Sequence, residues 1–372
     1  MSTDLSVPST GTVTGSQQAP RRIDEYLKEV LAKNGSDLHF IAGDPPRVRL
    51  FGELHNLRPD VLAPAYVEEL LREIMPRAAQ QRLEEKHGAD FAYIIPGVSR
   101  FRVNVMRHLY GLGAVCRAIP SKALTLDQLN MPDAVRNLCK VNNGLILVTG
   151  KTGSGKSTTL AAMIDDMNAR LKGHILTIED PIEFVHTRKN CLVSQREIGN
   201  HSPSFSAALH SALREDPDVI LVGELRDYET MSIAVTAAEM GILVMGTLHT
   251  NGAAPTVDRM VNAFPADKQS HVRAMLSTSL RGVISQQLIP RAGKSGRVAA
   301  LEILVNTPAV ANLIRQGKLD QLENTMQSGA QFGMRLMDSA IQELLDKSVI
   351  SGKDAYKKAI NKAKFEAVKE MG

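Results

Sequence analysis

The stretch Gly150-Lys151-Thr152-Gly153-Ser154-Gly155-Lys156-Ser157-Thr158 has the spacing of a phosphate cradle, GxxxxGK[ST]. It follows the apolar run LILVT and opens a segment in which Leu160, Met163, Ile164, Met167 and Leu171 recur at helical period. Glycines at these positions let backbone N–H groups converge on phosphate oxygens beside the positive end of a helix dipole. Lys156 would reach the β- and γ-phosphates of a nucleoside triphosphate, and the Ser157 hydroxyl would ligate Mg²⁺.

Hydrolysis needs acids as well, and three further segments offer them. The run Val219 to Val222 is short, wholly apolar and ends in Gly223-Glu224. Such runs read as interior strands of a parallel sheet. Ligands collect at the carboxyl ends of those strands. Glu224 is therefore expected to hold Mg²⁺ through water or to polarise the attacking water; the alternative is a structural pair with Arg226 or Arg214. ILTIEDPIEF brings Glu179, Asp180 and Glu183 to a second strand end, and GTLHTNG brings His249 to a third. A catalytic base must be a group close to the γ-phosphate, and Glu183 and Glu224 both qualify. His249 would sense the γ-phosphate by hydrogen bonding.

The elements that must hold these groups follow from pattern. From about Val141 the strands LILVT, HILTIED, DVILVGE and ILVMGTLH alternate with helices starting near Lys156, Ser204 and Tyr228, which implies a parallel sheet between helices. After about Pro265 the chain reads as mostly helical, and the lysine-rich part after Asp346 as a solvated helix face. Before the sheet lies a smaller α+β region. Its first helix starts at Ile23, two strands surround an Asp-Pro-Pro turn, and a helix covers YVEELLREIM. The strands ADFAYII, SRFRVNVMRH and LGAVCRAI complete it. Phe101, Val103 and Val105 there alternate with Arg100, Arg102 and Asn104. PSKALTLDQLNMPDAV reads as a connector.

Composition narrows the class. At 372 residues, with 43% hydrophobic and 23% charged residues, the chain has the make-up of a globular protein of two or three domains. A net charge of +4 does not argue for nucleic acid. Cys116, Cys139 and Cys191 have no CxxC spacing, so reduced thiols in a cytosol are expected rather than disulfides or a zinc module. The Ser/Thr/Gly/Pro-rich start lacks the basic and apolar regions of a signal peptide and reads as disordered. No apolar run approaches the roughly 18 residues needed to span a bilayer.

Taken in order, GKTGSGKST, TIEDPIEFVH, LREDPDVILVGELRD and GTLHTN resemble the Walker A, Asp-box, Walker B and His-box motifs of the ATPases of type II secretion and type IV pili. SDLHF, RFRVNV, IPSK and AVTAAE make the chain most similar to the pilus-retraction branch. The resemblance implies an α/β fold: an N-terminal PAS-like α+β domain, residues 22–120, and a RecA-like P-loop ATPase domain, 141–372, with a helical C-terminal region. A tail (1–21) precedes them and a linker (121–140) joins them. It further implies a homohexameric cytoplasmic motor that hydrolyses ATP with Mg²⁺ to retract pili for twitching motility. The motor would sit at the inner membrane with a pilus platform protein and other pilus ATPases as partners, and without nucleic acid.

By the same resemblance Glu183 activates water and Glu224 serves Mg²⁺, while arginines of the N-terminal domain complete the site. Arg102 and Arg117 are the candidates, ahead of Arg107. No paired-CxxC zinc module is present, which favours retraction over extension. The retraction motif Ala-Ile-Arg-Asn-Leu-Ile-Arg-Glu reads here as AVANLIRQ, with Ala311 and Gln316 in place of arginine and glutamate. An accessory retraction ATPase, an assembly or secretion ATPase and, more distantly, a DNA translocase remain the alternatives.

Overall fold

A computed structural model describes residues 21–50, 52–119, 123–293 and 296–371. The expected disordered tail, but for Arg21, and most of the IPSK motif lie outside the described residues. The chain divides after Ile119 into two compact units.

In the first unit the order is α1 (Ile23–Ala32), β1 (Asp37–Ile41), β2 (Arg47–Leu50), β3 (Glu53–Asn56), α2 (Pro64–Ile74), α3 (Arg77–Lys86), β4 (Gly88–Ile95), β5 (Ser99–His108) and β6 (Gly111–Ile119). The strands form one antiparallel sheet in the order β3-β2-β1-β6-β5-β4. Alternation in β5 buries Phe101, Val103 and Val105 and leaves Arg102 exposed. That apolar face packs with Leu27 and Val30 of α1 and Val67, Leu70 and Leu71 of α2.

The second unit runs α4 (Asp133–Leu138), β7 (Gly144–Thr149), α5 (Lys156–Arg170), β8 (His174–Glu179), β9 (Leu192–Glu197), α6 (Phe205–Ala212), β10 (Val219–Val222), α7 (Tyr228–Glu239) and β11 (Leu243–Leu248). It continues with α8 (Ala253–Asn262), α9 (Gln269–Ser279), β12 (Leu280–Pro290), β13 (Arg297–Val305), α10 (Pro308–Gln316), α11 (Leu322–Ser328), α12 (Met337–Asp346) and α13 (Gly352–Lys358). Seven strands form a sheet in the order β13-β12-β7-β11-β10-β8-β9, parallel except for β13. Every residue of β7, β10 and β11 is buried, as expected of strands covered on both faces. Leu145 and Leu147 of β7 point into a core with α6, α7, α8 and α9, whereas Ile146 and Val148 meet α5 on the other face. With β7, β8, β10 and β11 parallel, the phosphate loop, Glu179, Glu224 and His249 all follow the same edge of the sheet.

The region after Pro265 departs from its helical reading. Leu280–Pro290 and Arg297–Val305 pair as the antiparallel strands of the hairpin β12–β13, and β12 adds in parallel to β7. Short apolar runs such as GVIS and LEILV carry no period that separates a buried strand from a buried helix, so pairing decides. Helices return from Pro308, and α12 and α13 pack over Ile289 and Ala300 of the hairpin. The expected connector contains α4, whose Ala134, Val135 and Leu138 join the α5-side core.

All three cysteines are free and buried, and burial pushes the thiols of Cys116 and Cys139 up to about 12. Among the described residues no helix is long and apolar enough to cross a membrane.

Candidate nucleotide-hydrolysis site

The phosphate loop connects β7 to α5, and its shape needs glycine. Gly150 has φ +139°, and a Cβ there would lie 2.4 Å from the Gln286 carbonyl oxygen and 2.6 Å from Ser154 Oγ. At Gly155, φ +89°, a Cβ would meet Gln286 Nε2 at 2.7 Å. Gln286, from β12, also fastens the loop with its side chain. It donates to the Ser154 carbonyl at 2.7 Å and accepts from Thr159 Oγ1 at 2.7 Å.

Lys156, the first residue of α5, is buried and donates to the Gly150 carbonyl at 2.8 Å. Burial holds its amine below the usual lysine range, against the pull of Glu224 and Glu183. Both carboxylates thus act electrostatically on the loop lysine. The loop also suits an anion. Ser154 Oγ is buried without a partner among the described residues. Beside Lys151 and Gly153 opens a cleft of about 750 Å³ whose charged lining is Lys151, Arg297, Lys357 and Lys358, with no carboxylate.

On the other side of the loop, a small cavity of about 60 Å³ is bordered by Ser157, Glu179, Asp180, Glu183, Glu224 and Arg226. Gly223 brings the end of β10 so close to β8 that a Cβ would sit 3.2 Å from Glu179 Cα. Glu224 Oε2 pairs with Arg226 Nε at 2.7 Å, and its Oε1 meets His249 Nε2 at 3.2 Å. The pairing with Arg226 is the structural alternative weighed from sequence, yet the carboxylate still faces the cavity beside Ser157. Ser157 and Glu224 are the donors that fit Mg²⁺, since a nucleotide-bound Mg²⁺ takes its other ligands from phosphates and water.

Glu183 is exposed at the cavity rim. Its loop is held from β8 and β9. Buried Glu179 accepts from Thr177 Oγ1 at 2.7 Å, Gln195 Nε2 at 3.3 Å and the Glu183 amide at 3.2 Å. Burial raises the Glu179 carboxyl above the ordinary range, and these hydrogen bonds oppose the shift. Gln195 also donates to the Phe184 carbonyl at 2.8 Å and accepts from the His186 amide at 2.8 Å. Glu197 accepts from the Ile182 amide at 3.0 Å.

Arg102 and Arg117 belong to the first unit, where they stand opposite each other on β5 and β6. Arg117 Nε pairs with Asp37 Oδ1 at 2.7 Å and Arg102 Nε approaches Asp90 Oδ1 at 3.6 Å, around a hollow of about 270 Å³. Arg107 pairs instead with Glu84 at 2.7 Å. The groups gathered around the phosphate loop all come from the second unit.

Sequence reasoning missed Gln195, Gln286 and Glu302. The last is a buried carboxylate of β13 that accepts from the Ala253 amide, just beyond the His249 loop, at 2.7 Å. Their signal was present: each is a polar residue within a strand, and those in SQQLIP and AALEILV interrupt apolar runs.

Residues 12–349 match the family described as type II/IV secretion system protein. Over 337 residues, 91% of this chain and 98% of the relative, the chain is 50% identical to a Pseudomonas aeruginosa protein named "Type IV pilus retractation ATPase PilT". It is 47% identical over 321 residues, 86% of each chain, to a "Twitching motility protein" of Neisseria gonorrhoeae. Among solved structures, one of the pilus retraction motor PilT with bound ADP superposes with a TM-score of 0.87 at 42% identity, covering 94% of this chain and 100% of that one.

Proposed function

The chain belongs to the type II/IV secretion system protein family, and on that premise we propose that it is an ATPase motor that retracts type IV pili and so powers twitching motility. One observation carries the reading: Ser157, Glu183 and Glu224 border one cavity beside a phosphate loop whose lysine both acids influence. The named relatives support retraction as the work done.

In this reading the loop amides and Lys156 bind the triphosphate. Lys156 exchanges the Gly150 carbonyl for phosphate oxygens, which regain the charge that burial discourages. Ser157 and, through water, Glu224 would hold Mg²⁺, which would supply charge neutralisation to the phosphates. Glu183 at the rim takes the proton of the attacking water, and Gln195 and Glu179 keep its loop in place. Arg226 and His249 orient Glu224 from either side.

The finer expectations belong to the same proposal. The second unit is a RecA-like domain and the first a PAS-like one. Six copies form a ring, and Arg102 and Arg117 complete a site across a boundary. A pilus platform protein at the inner membrane takes up the motion from the cytoplasmic side, alongside other pilus ATPases.

A second reading, an accessory retraction ATPase, is favoured by Ala311 and Gln316 on α10, which depart from the retraction motif. Deleting the gene separates the readings. Loss of retraction with pili retained supports the primary motor, and weakened retraction under load supports the accessory one. Loss of the pili themselves would make the protein an assembly ATPase.

A further inference from the structure

Glu302 lies among buried apolar residues of β13, directly opposite Ser285 of β12 in the strand register. These neighbours take two consecutive amides. Ser285 Oγ accepts from Gly252 N at 2.8 Å, and Glu302 Oε1 accepts from Ala253 N at 2.7 Å. The other carboxylate oxygen accepts from Met337 N at 3.1 Å. One buried acid thus closes the first turns of both α8 and α12. Among the described residues it has no cationic partner, a costly way to fill a core. Two amides and two helix dipoles offset that cost.

The loop so fixed is short. Leu248 ends β11, His249 follows, and Gly252 turns with φ +103°, a conformation that leaves its Cβ position 3.4 Å from Glu302 Oε1. The Thr250 and Thr256 hydroxyls meet at 2.7 Å, and Thr256 Oγ1 donates to the Gly252 carbonyl at 2.6 Å. The histidine therefore stands between a strand end and a pinned helix start, with Glu224 3.2 Å from its ring nitrogen.

We propose that Glu302 is a positioning residue for His249. With Ser285 it fixes the exit of the histidine loop, and through Met337 it ties that loop to α12, so the C-terminal helices set where the imidazole meets Glu224. The inference rests on the reading of His249 and Glu224 as parts of an ATP-hydrolysing site.

Glu302→Gln in the full chain tests it. Glutamine keeps the size and one acceptor oxygen but deprives one of the two amides. The expected result is a fall in kcat of about tenfold, with KM for ATP and the Kd of a non-hydrolysable ATP analogue within about twofold of wild type. In a His249→Ala background the same substitution should leave kcat where His249→Ala alone puts it, because the two act as one unit. An unchanged kcat in folded Glu302→Gln, or an equal tenfold loss in both backgrounds, would overturn the proposal alone. A wild-type kcat in His249→Ala itself would remove the histidine from the mechanism and this inference with it. Should Glu302→Gln fail to fold, Ser285→Ala, which removes only the acceptor for Gly252 N, carries the same comparisons.

Discussion

In Lys156→Ala no other buried cation of the loop would face the β- and γ-phosphates, so ATP binding and turnover should be lost together. Glu224→Gln has a different signature. The loop and lysine remain, so nucleotide binding should stay close to wild type while kcat falls by about 10–100-fold, the usual cost of losing a residue that holds a metal through its outer shell. Isothermal titration paired with phosphate release separates the two, and normal turnover in Glu224→Gln would reduce that residue to a partner of Arg226. Glu179 makes a prediction about pH. Its folded-state carboxyl is raised by burial, so in that range the native state binds more protons than the unfolded one, and its contribution to stability falls as pH rises from its ordinary value of 4.5 through the raised one. The melting temperature of wild type relative to Glu179→Gln should therefore decline as pH increases, in differential scanning fluorimetry from about pH 5 to 8. A difference that is flat, or that grows with pH, would contradict the assigned direction.

Strand β9 and the β12–β13 hairpin escaped the pattern reading, and the hairpin bears on the site through Gln286 and Glu302. The parallel strands β7, β8, β10 and β11 were legible because each is a short apolar run ending in a turn signal and a polar group. The starts of α5, α6 and α7 were legible too: Ser204 and Asp227 cap α6 and α7 by accepting from the Ala207 and Thr230 amides. In β12 three polar residues, Ser285, Gln286 and Gln287, interrupt the apolar pattern, and only tertiary partners explain them: the Gly252 amide, the phosphate loop with Thr159, and the Lys358 carbonyl. Likewise Glu183 was found as a strand-end acid, whereas Gln195 and Glu197 showed only as polar residues of a short strand, since what they hold is a loop without periodicity: Gln195 bonds the Phe184 carbonyl and the His186 amide, and Glu197 the Ile182 amide. Gln286→Leu tests the hairpin's role. It leaves the Ser154 carbonyl and Thr159 hydroxyl without their partner, a cost of about 1–3 kcal/mol for buried groups. Urea unfolding should show that loss, together with a raised KM for ATP. Wild-type values for both would mean that the loop holds its own shape.

At the scale of the whole molecule, the unusual feature is a pair of arginines facing each other across β5 and β6. Like charges directly opposite on neighbouring strands destabilise a sheet; here Asp37 and Asp90 offset the repulsion. An anion from outside the first unit would suit that hollow. If it is the phosphate of a nucleotide, Arg102→Ala and Arg117→Ala should bind ATP but hydrolyse it slower by roughly 10³ or more. Specific activity should then rise with protein concentration as the ring assembles, and light scattering with ATP should report six copies. Wild-type rates in both variants would assign the arginines to the fold alone. Following such assembly calls for a reporter, and the buried cysteines supply the conditions for one. Only the thiolate attacks a maleimide, and all three native sulfurs are enclosed, two of them with thiols that stay protonated at neutral pH. A cysteine placed at exposed Tyr110, in the turn between β5 and β6, would therefore take up a dye far faster than the rest of the chain, and site-selective fluorescence labelling needs no prior removal of native residues.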